Sequence, residues 1–427
     1  MNNTLNPGPK TQGFFMNNQI PTEKELEEIE KNYDPQLSFR KLGVKLEVLV
    51  SLLLVLMSVY HFWASGFGLV REVLHRGIHI SFVLALVFLL FGWNKKEDLN
   101  KINKGYFYFQ NISILDYIFA FLAVGSALYL PFLPSKELAS IVGNPGLVDV
   151  FIGSVLIILT LEAARRSVGP TLPIIAIIFT LFALFGPLAP GALKHGGTSW
   201  LGFVNHIYIT NHGVYGIAVG VMAQYVFLFI LFGVLATRVG LGKLFIDLAM
   251  VVAGRFSVGQ QSCIFSSAFM GTISGSSIAN TVTTGSLTIP AMKKIGYPAH
   301  FAGAVEAASS TGGQITPPIL GAAAFIMVEY LEIPLKDILA AALIPALLHY
   351  FGIFIMVHLE AKKLGLRGLE DKEMPKFFHV LKENWLSLIP LFILVYFILS
   401  GKTPDFAAIY AIISCVVVGI LKPKNKL

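Results

Sequence analysis

Between residues 257 and 320 an otherwise apolar sequence becomes dense in serine, threonine and glycine. One piece reads Gly271-Thr272-Ile273-Ser274-Gly275-Ser276-Ser277-Ile278-Ala279-Asn280-Thr281-Val282-Thr283-Thr284-Gly285. A second reads Glu306-Ala307-Ala308-Ser309-Ser310-Thr311-Gly312-Gly313-Gln314-Ile315-Thr316-Pro317-Pro318. Hydroxyls, an amide and main-chain carbonyls are hard oxygen donors, and a monovalent ion such as Na+ can be held by them without a carboxylate. Asn280 is placed to orient the first piece through its amide, and Thr311 and Thr316 offer hydroxyls from the second.

Neither piece suits an unbroken helix in lipid. Gly312-Gly313 and Pro317-Pro318 interrupt the hydrogen-bond ladder. In hydrocarbon, freed backbone groups survive only where protein covers them or a cavity receives them. The pattern predicts a re-entrant hairpin over about 260–290, its tip near Ser274 to Asn280, facing a discontinuous helix interrupted at Gly312 to Pro318. Broken helices build transport sites in this way, with unwound carbonyls for a cation and half-helix N-termini for an anion. The plainer reading of Gly271 and Gly275 is a GxxxG packing face. Glu306, costly inside a bilayer by ~2–3 kcal/mol, either binds solute or a proton or pairs with Lys293 or Lys294.

These pieces sit in a chain of 427 residues that is 55% hydrophobic and only 13% charged. Such a composition barely supplies a soluble surface. Its apolar residues come in blocks, several of them matching the roughly 20 helical residues that span a ~30 Å hydrocarbon core. Crossings are expected near 45–66, 74–93, 114–133, 148–167, 169–188, 214–236, 313–332, 337–357, 385–400 and 404–421. The fold class is therefore all-α integral membrane: about ten transmembrane helices plus the hairpin and the discontinuous helix. A β-barrel would need a two-residue alternation that the blocks lack.

The net charge of +7 reflects placement more than partners. Basic residues cluster at 40–45, 95–104, 165–166, 238–255, 293–294, 362–382 and 422–426, while in the alternate connections Lys136, Lys194, Lys336 and Lys402 stand nearly alone and Arg71 with Arg76 fits least. That alternation follows the positive-inside rule with both termini cytoplasmic, so nucleic acid is not an expected partner and membrane lipid is. Residues 1–43 read as a polar cytoplasmic tail, 44–168 as a four-helix scaffold, and 169–427 as the transport region. At the end of the fourth crossing, Glu162 with Arg165 and Arg166 reads as local i,i+3 and i,i+4 ion pairing. In the 189–212 loop, Trp200 to Tyr208 reads as an interfacial amphipathic piece, and His195, His206 and His212 lack tight metal-ligand spacing. Cys263 and Cys415 read as small buried hydrophobes with no disulfide framework.

At the two motif pieces the sequence resembles the membrane permease of tripartite ATP-independent periplasmic (TRAP) transporters, and more closely the TAXI-type branch, in which small and large membrane subunits are fused. The resemblance rests on GTISGSSIANTVTTGSLTIPAMKKIGY at Gly271 to Tyr297 and on AGAVEAASSTGGQITPPILGAAAFIM at 302–327. The run Tyr225 to Gly242 and the helix end Leu161 to Arg166 fit as well. It implies Na+-driven uptake of small organic acids at a bacterial or archaeal cytoplasmic membrane. A soluble periplasmic protein would deliver the solute, and a transport domain would move like an elevator against the scaffold. Cation ligands would fall on Ser276, Ser277, Asn280 and Thr281, with Thr311, Gly312, Gly313 and Thr316 opposite. Ser274, Gly275, Gln314 and Pro317 beside them are the candidate solute contacts. The family builds its site from two inverted repeats, yet nothing beyond Lys363 repeats the SGSSIANT or TGGQITPP pattern. The expectation is a truncated chain, or one that a second polypeptide completes.

Other classes fit less well. Gly240-Leu241-Gly242-Lys243 is followed by Leu244 where a phosphate loop needs Ser or Thr. A membrane enzyme would need convergent acids and bases at one depth, and intramembrane acids are too few. A membrane scaffold that does not transport is the standing alternative.

Overall fold

The computed structural model describes residues 39–40, 42–68, 70–93, 108–254, 262–366 and 377–422. Most of the tail, most of the 94–111 connection, and the basic residues within 255–261 and 367–376 lie outside them, as does the side chain of Cys263. Apart from a two-stranded ribbon pairing Tyr108 with Ser113 and Phe109 with Ile112, the described architecture is helical.

Seven helices among the described residues are long and apolar enough to cross a membrane. They are α1 (Val44–Gly66), α2 (Glu72–Leu90), α3 (Ile114–Phe132), α5 (Leu147–Ser167), α8 (Ile217–Arg238), α14 (Leu335–Lys363) and α17 (Pro404–Leu421). Each falls on an expected apolar block. Between them lie α4 (Ser135–Ile141), α6 (Thr171–Leu184) and α7 (Trp200–Val204), the last continued by a π-helical turn at Asn205–Ile209. Then come α9 (Leu241–Gly254), α10 (Ser262–Ser274), α11 (Ser277–Ile295), α12 (Ala299–Gly312), α13 (Ala322–Leu331), α15 (Phe377–Asn384) and α16 (Ile389–Leu399).

Three expected crossings differ, and that at 385–400 is a 3-10 turn over Trp385–Leu388 followed by the 11-residue α16. The block at 169–188 forms only a 14-residue helix, because Gly186-Pro187 ends it. The block at 313–332 is not one helix: Gly313–Ile315 makes a 3-10 turn, Thr316 to Gly321 is irregular, and α13 begins only at Ala322.

The outward faces are apolar. Val48, Leu52, Val55 and Val59 on α1, Ile174, Ile178 and Phe179 on α6, and Leu343, Ile344, Leu347 and Phe351 on α14 are all exposed, as lipid-facing helices require. One core joins α8, α9, α13, α16 and α17 through Phe229, Phe232, Leu244, Phe325, Leu394 and Cys415. Another joins α2, α3, α5 and the 200–215 segment through Phe88, Leu130, Leu156, Tyr208 and Tyr215.

Beside that second core, charge is buried in pairs. Asp116 receives Arg40 at 2.9 Å and Arg166 at 2.7 Å, and Glu162 receives Arg166 and Arg165 at 2.7 Å each. The local pairs expected at the end of α5 are thus present, extended by Asp116 and Arg40 from distant sequence. Arg40 also donates to the Phe88 and Phe91 carbonyls, the unpaired C-terminal end of α2.

Candidate functional site

Helices α10 and α11 form a hairpin closed by Ser274-Gly275-Ser276. Gly275 takes φ +60°, where a side chain would be strained. Ser276 caps α11 by accepting from the Ala279 N–H at 3.4 Å, and Gly296 ends that helix in the left-handed conformation. The turn packs directly on the interruption after α12. A Cβ on Gly275 would lie 2.7 Å from the Leu320 carbonyl oxygen. A Cβ on Gly271 would lie 2.4 Å from the Gly313 Cα, and one on Gly313 2.5 Å from the Gly271 Cα. The last turn of α10 and the turn after it thus touch the interruption main chain to main chain, and the glycines are what permit it.

The interruption satisfies part of its own backbone. Gly321 N–H donates to the Gln314 carbonyl at 2.7 Å, and the Thr316 hydroxyl donates to the Gly312 carbonyl at 2.6 Å. Helix α14 adds His349, whose Nε2 meets the Ala308 carbonyl at 3.0 Å.

The predicted residues distribute as follows. Gln314 donates to the Ser277 hydroxyl at 3.2 Å, so the hairpin and the interruption meet through these two side chains. The Ser274 hydroxyl donates to the Ser276 carbonyl at 3.3 Å, and that of Thr281 to the Ser277 carbonyl at 2.8 Å. Thr311 is exposed, with its hydroxyl on the Ala307 carbonyl at 2.8 Å. Gly312 is buried, and Pro317 is half-buried in the irregular segment. Asn280 is 1% exposed and donates from Nδ2 to the Ser267 carbonyl at 2.8 Å. Its amide is thereby anchored across the hairpin arms.

Among the described residues, two buried oxygens have no hydrogen-bond partner: Asn280 Oδ1 in the hairpin and Ser309 Oγ in α12. A buried polar atom left unpaired costs ~1–3 kcal/mol. An amide oxygen and a hydroxyl are the hard donors a Na+ ion takes, so the donor chemistry fits such an ion.

A turn deeper, Glu306 is fully buried and surrounded by hydroxyls. Its Oε1 accepts from Ser267 at 2.7 Å, from Ser310 at 2.9 Å and from Thr284, while its Oε2 accepts from Thr288. Gly285 makes room, since a Cβ there would lie 2.9 Å from Glu306 Cγ. One carboxyl thereby joins α10, α11 and α12, and the Lys293 or Lys294 pairing that the sequence suggested gives way to this ring of hydroxyls. Ser267, Thr284, Thr288 and Ser310 escaped the sequence reading because serine and threonine in an apolar helix look alike whether they bond their own turn or a neighbour. Thr284 and Thr288, one turn apart on a single face and opposite Glu306, were the available signal.

A many-helix membrane protein with a helical hairpin seated on an interrupted helix belongs to the class of transport permeases. Residues 155–427 match the family described as "Tripartite ATP-independent periplasmic transporter, DctM component", and the chain belongs to that family. It is 27% identical over 303 residues to the isethionate TRAP transporter permease protein DctMQ of Oleidesulfovibrio alaskensis, covering 66% of this chain and 45% of the relative. It is 32% identical over 183 residues to the sialic acid TRAP transporter large permease protein SiaM of Vibrio cholerae, covering 42% of each. With the C4-dicarboxylate TRAP transporter large permease protein DctM of Pseudomonas aeruginosa it shares 25% identity over 188 residues, 43% of each. The chain thus spans a little under half the length of these relatives.

Proposed function

We propose that this protein is a permease component of a Na+-coupled secondary transporter that takes up small organic acids delivered by a periplasmic binding protein. The observation that carries the proposal is the meeting of the hairpin with the interruption after α12, with a buried oxygen lacking a partner among the described residues on each side: Asn280 Oδ1 in the hairpin and Ser309 Oγ in the last turn of α12. A cation held between them would give these oxygens a partner, and its charge would favour a carboxylate solute at the adjacent turn. The named substrates of the relatives (isethionate, sialic acid and C4-dicarboxylates) are acids, which supports the solute class.

In this proposal the hairpin, with Ser276, Ser277, Asn280 and Thr281, and the interruption, with Thr311, Gly312, Gly313 and Thr316, hold the cation. Ser274, Gly275, Gln314 and Pro317 face the solute. A second hairpin, on a companion polypeptide or a longer form of this one, closes the pocket. The first four crossings are a fused small-subunit scaffold of the TAXI type, and both termini face the cytoplasm of a bacterial or archaeal cell.

The test is uptake of radiolabelled dicarboxylates, sulfonates and sugar acids into proteoliposomes, with and without an inward sodium gradient and with the binding protein supplied. Accumulation that needs sodium is the expected result, and accumulation indifferent to it overturns the coupling. The alternative is a membrane scaffold with no transport of its own. It predicts no uptake under any gradient, even with a companion permease half present.

A further inference from the structure

Helix α14 carries an anomaly. From Ile338 to Val357 every residue is apolar, glycine or proline except His349 and Tyr350. Polar side chains in the middle of a membrane helix are costly and are retained where they have a partner or a task. Both turn toward the end of α12. The Tyr350 hydroxyl lies 3.3 Å from both the Ser309 carbonyl and the Thr316 hydroxyl; because Thr316 donates its own proton to the Gly312 carbonyl, the single Tyr350 proton is shared between these two acceptors. His349 Nε2 faces the Ala308 carbonyl at 3.0 Å, so that nitrogen carries the proton.

Ser309 lies before the interruption and Thr316 beyond it. A single hydroxyl therefore spans the gap. Both reaches exceed the usual hydroxyl distance and are weak singly, but close packing completes the contact. A Cβ on Gly312 would lie 2.6 Å from the His349 ring and 2.9 Å from Tyr350 Cζ. Only glycine lets the two rings lie against the main chain at this point.

We propose that Tyr350, with His349 beside it, is a positioning residue for the cation site. Together they fix the distance between the two ends of the interruption, so that the main chain of 310–318 presents a constant set of oxygens to the hairpin turn. The inference rests on the sodium-coupled reading above. Neither residue touches the cation: Tyr350 acts through Ser309 and Thr316, and His349 through the last turn of α12.

The experiment compares the full chain with Tyr350→Phe and His349→Phe in lipid nanodiscs. Thermal stability is followed as NaCl replaces choline chloride at constant ionic strength. For Tyr350→Phe, the sodium concentration giving half-maximal stabilisation should rise about tenfold, or ~1.4 kcal/mol. The sodium-free midpoint should fall modestly as well, because the contact is already made without the ion, so the shift in half-saturation is the deciding readout. His349→Phe should shift the half-saturation in the same direction, and it carries the test should Tyr350→Phe not fold. A midpoint lowered equally at every sodium concentration, with half-saturation unchanged, would mean simple packing and overturn the proposal. Wild-type half-saturation in both variants overturns it too, while leaving the sodium reading intact. A wild-type chain that does not respond to sodium sinks that reading, and this inference with it.

Discussion

Two parts of the molecule bury polar groups under the same constraint and solve it in opposite ways. Around Asp116 the solution is full charge. Two carboxylates meet three guanidinium groups at 2.7–2.9 Å, and the atoms left over are donors, Arg40 Nε and Arg166 Nη2. The Arg166 guanidinium lies 5.1 Å from the Phe88 ring centre and 5.2 Å from that of Trp93, so the electron-rich aromatic faces meet it. At the hairpin the solution is hydroxyls and main chain, and the atoms left over are acceptors, Asn280 Oδ1 and Ser309 Oγ. Each region thus leaves two side-chain atoms without a partner among the described residues, donors in the first and acceptors in the second. In the reading proposed above, a cation would meet the second pair, whereas the first already holds its own positive charge.

The comparison breaks most severely at Asp116. Asp116→Ala leaves two buried arginines facing each other and should cost ~3–5 kcal/mol, read as lost folded protein in denaturant unfolding. Any sodium response of the protein that does fold should be unchanged, and a cost below ~1 kcal/mol would show that the pairs are not what closes this region. Next comes Glu306→Ala, which strips four hydroxyls of their acceptor. A loss of about 3 kcal/mol is expected, with Glu306→Gln recovering roughly half, since it keeps an acceptor but no charge. Equal losses in the two variants would mean that volume, rather than the hydroxyl ring, matters there.

Gly271→Ala probes the contact between α10 and the interruption after α12. Its new methyl would press on Gly313, and overpacking of this kind costs about 2 kcal/mol; a neutral outcome in thermal unfolding would show the contact to be slack. The smallest stability effect should come from Asn280→Ala, about 1 kcal/mol for one bond to the Ser267 carbonyl. Here sodium dependence should weaken far more than expression falls, and matched losses in both would favour a packing role for the hairpin.

Most of the helices were legible because hydrophobic length needs no partner to be read. The blocks at 45–66, 114–133 and 404–421 became helices of nearly those bounds. The hairpin and the interruption were legible for the same local reason, since glycine and proline act on their own turn. The apolar block at 313–332 runs across the interruption at Gly312 to Pro318, so apolar length there suggests one crossing where the chain makes a turn and a short helix. What stayed hidden was tertiary. Arg40 meets Asp116 from 76 positions away, Tyr350 meets Ser309 from 41, and His61 meets His79 at 2.9 Å across α1 and α2. Nothing in the spacing of such residues announces a partner on another helix. Glu306 shows the limit best: its cost in lipid was readable, but its companions were not.

The absence of side chains where Gly271 meets Gly313 carries a mechanical corollary. Two backbones in bare contact have no interlocking knobs to ratchet past, and any parting between them would open a slot too thin for a lipid tail. Separation is penalised from the first fraction of an ångström, and the fit at this point admits no added atom on either side.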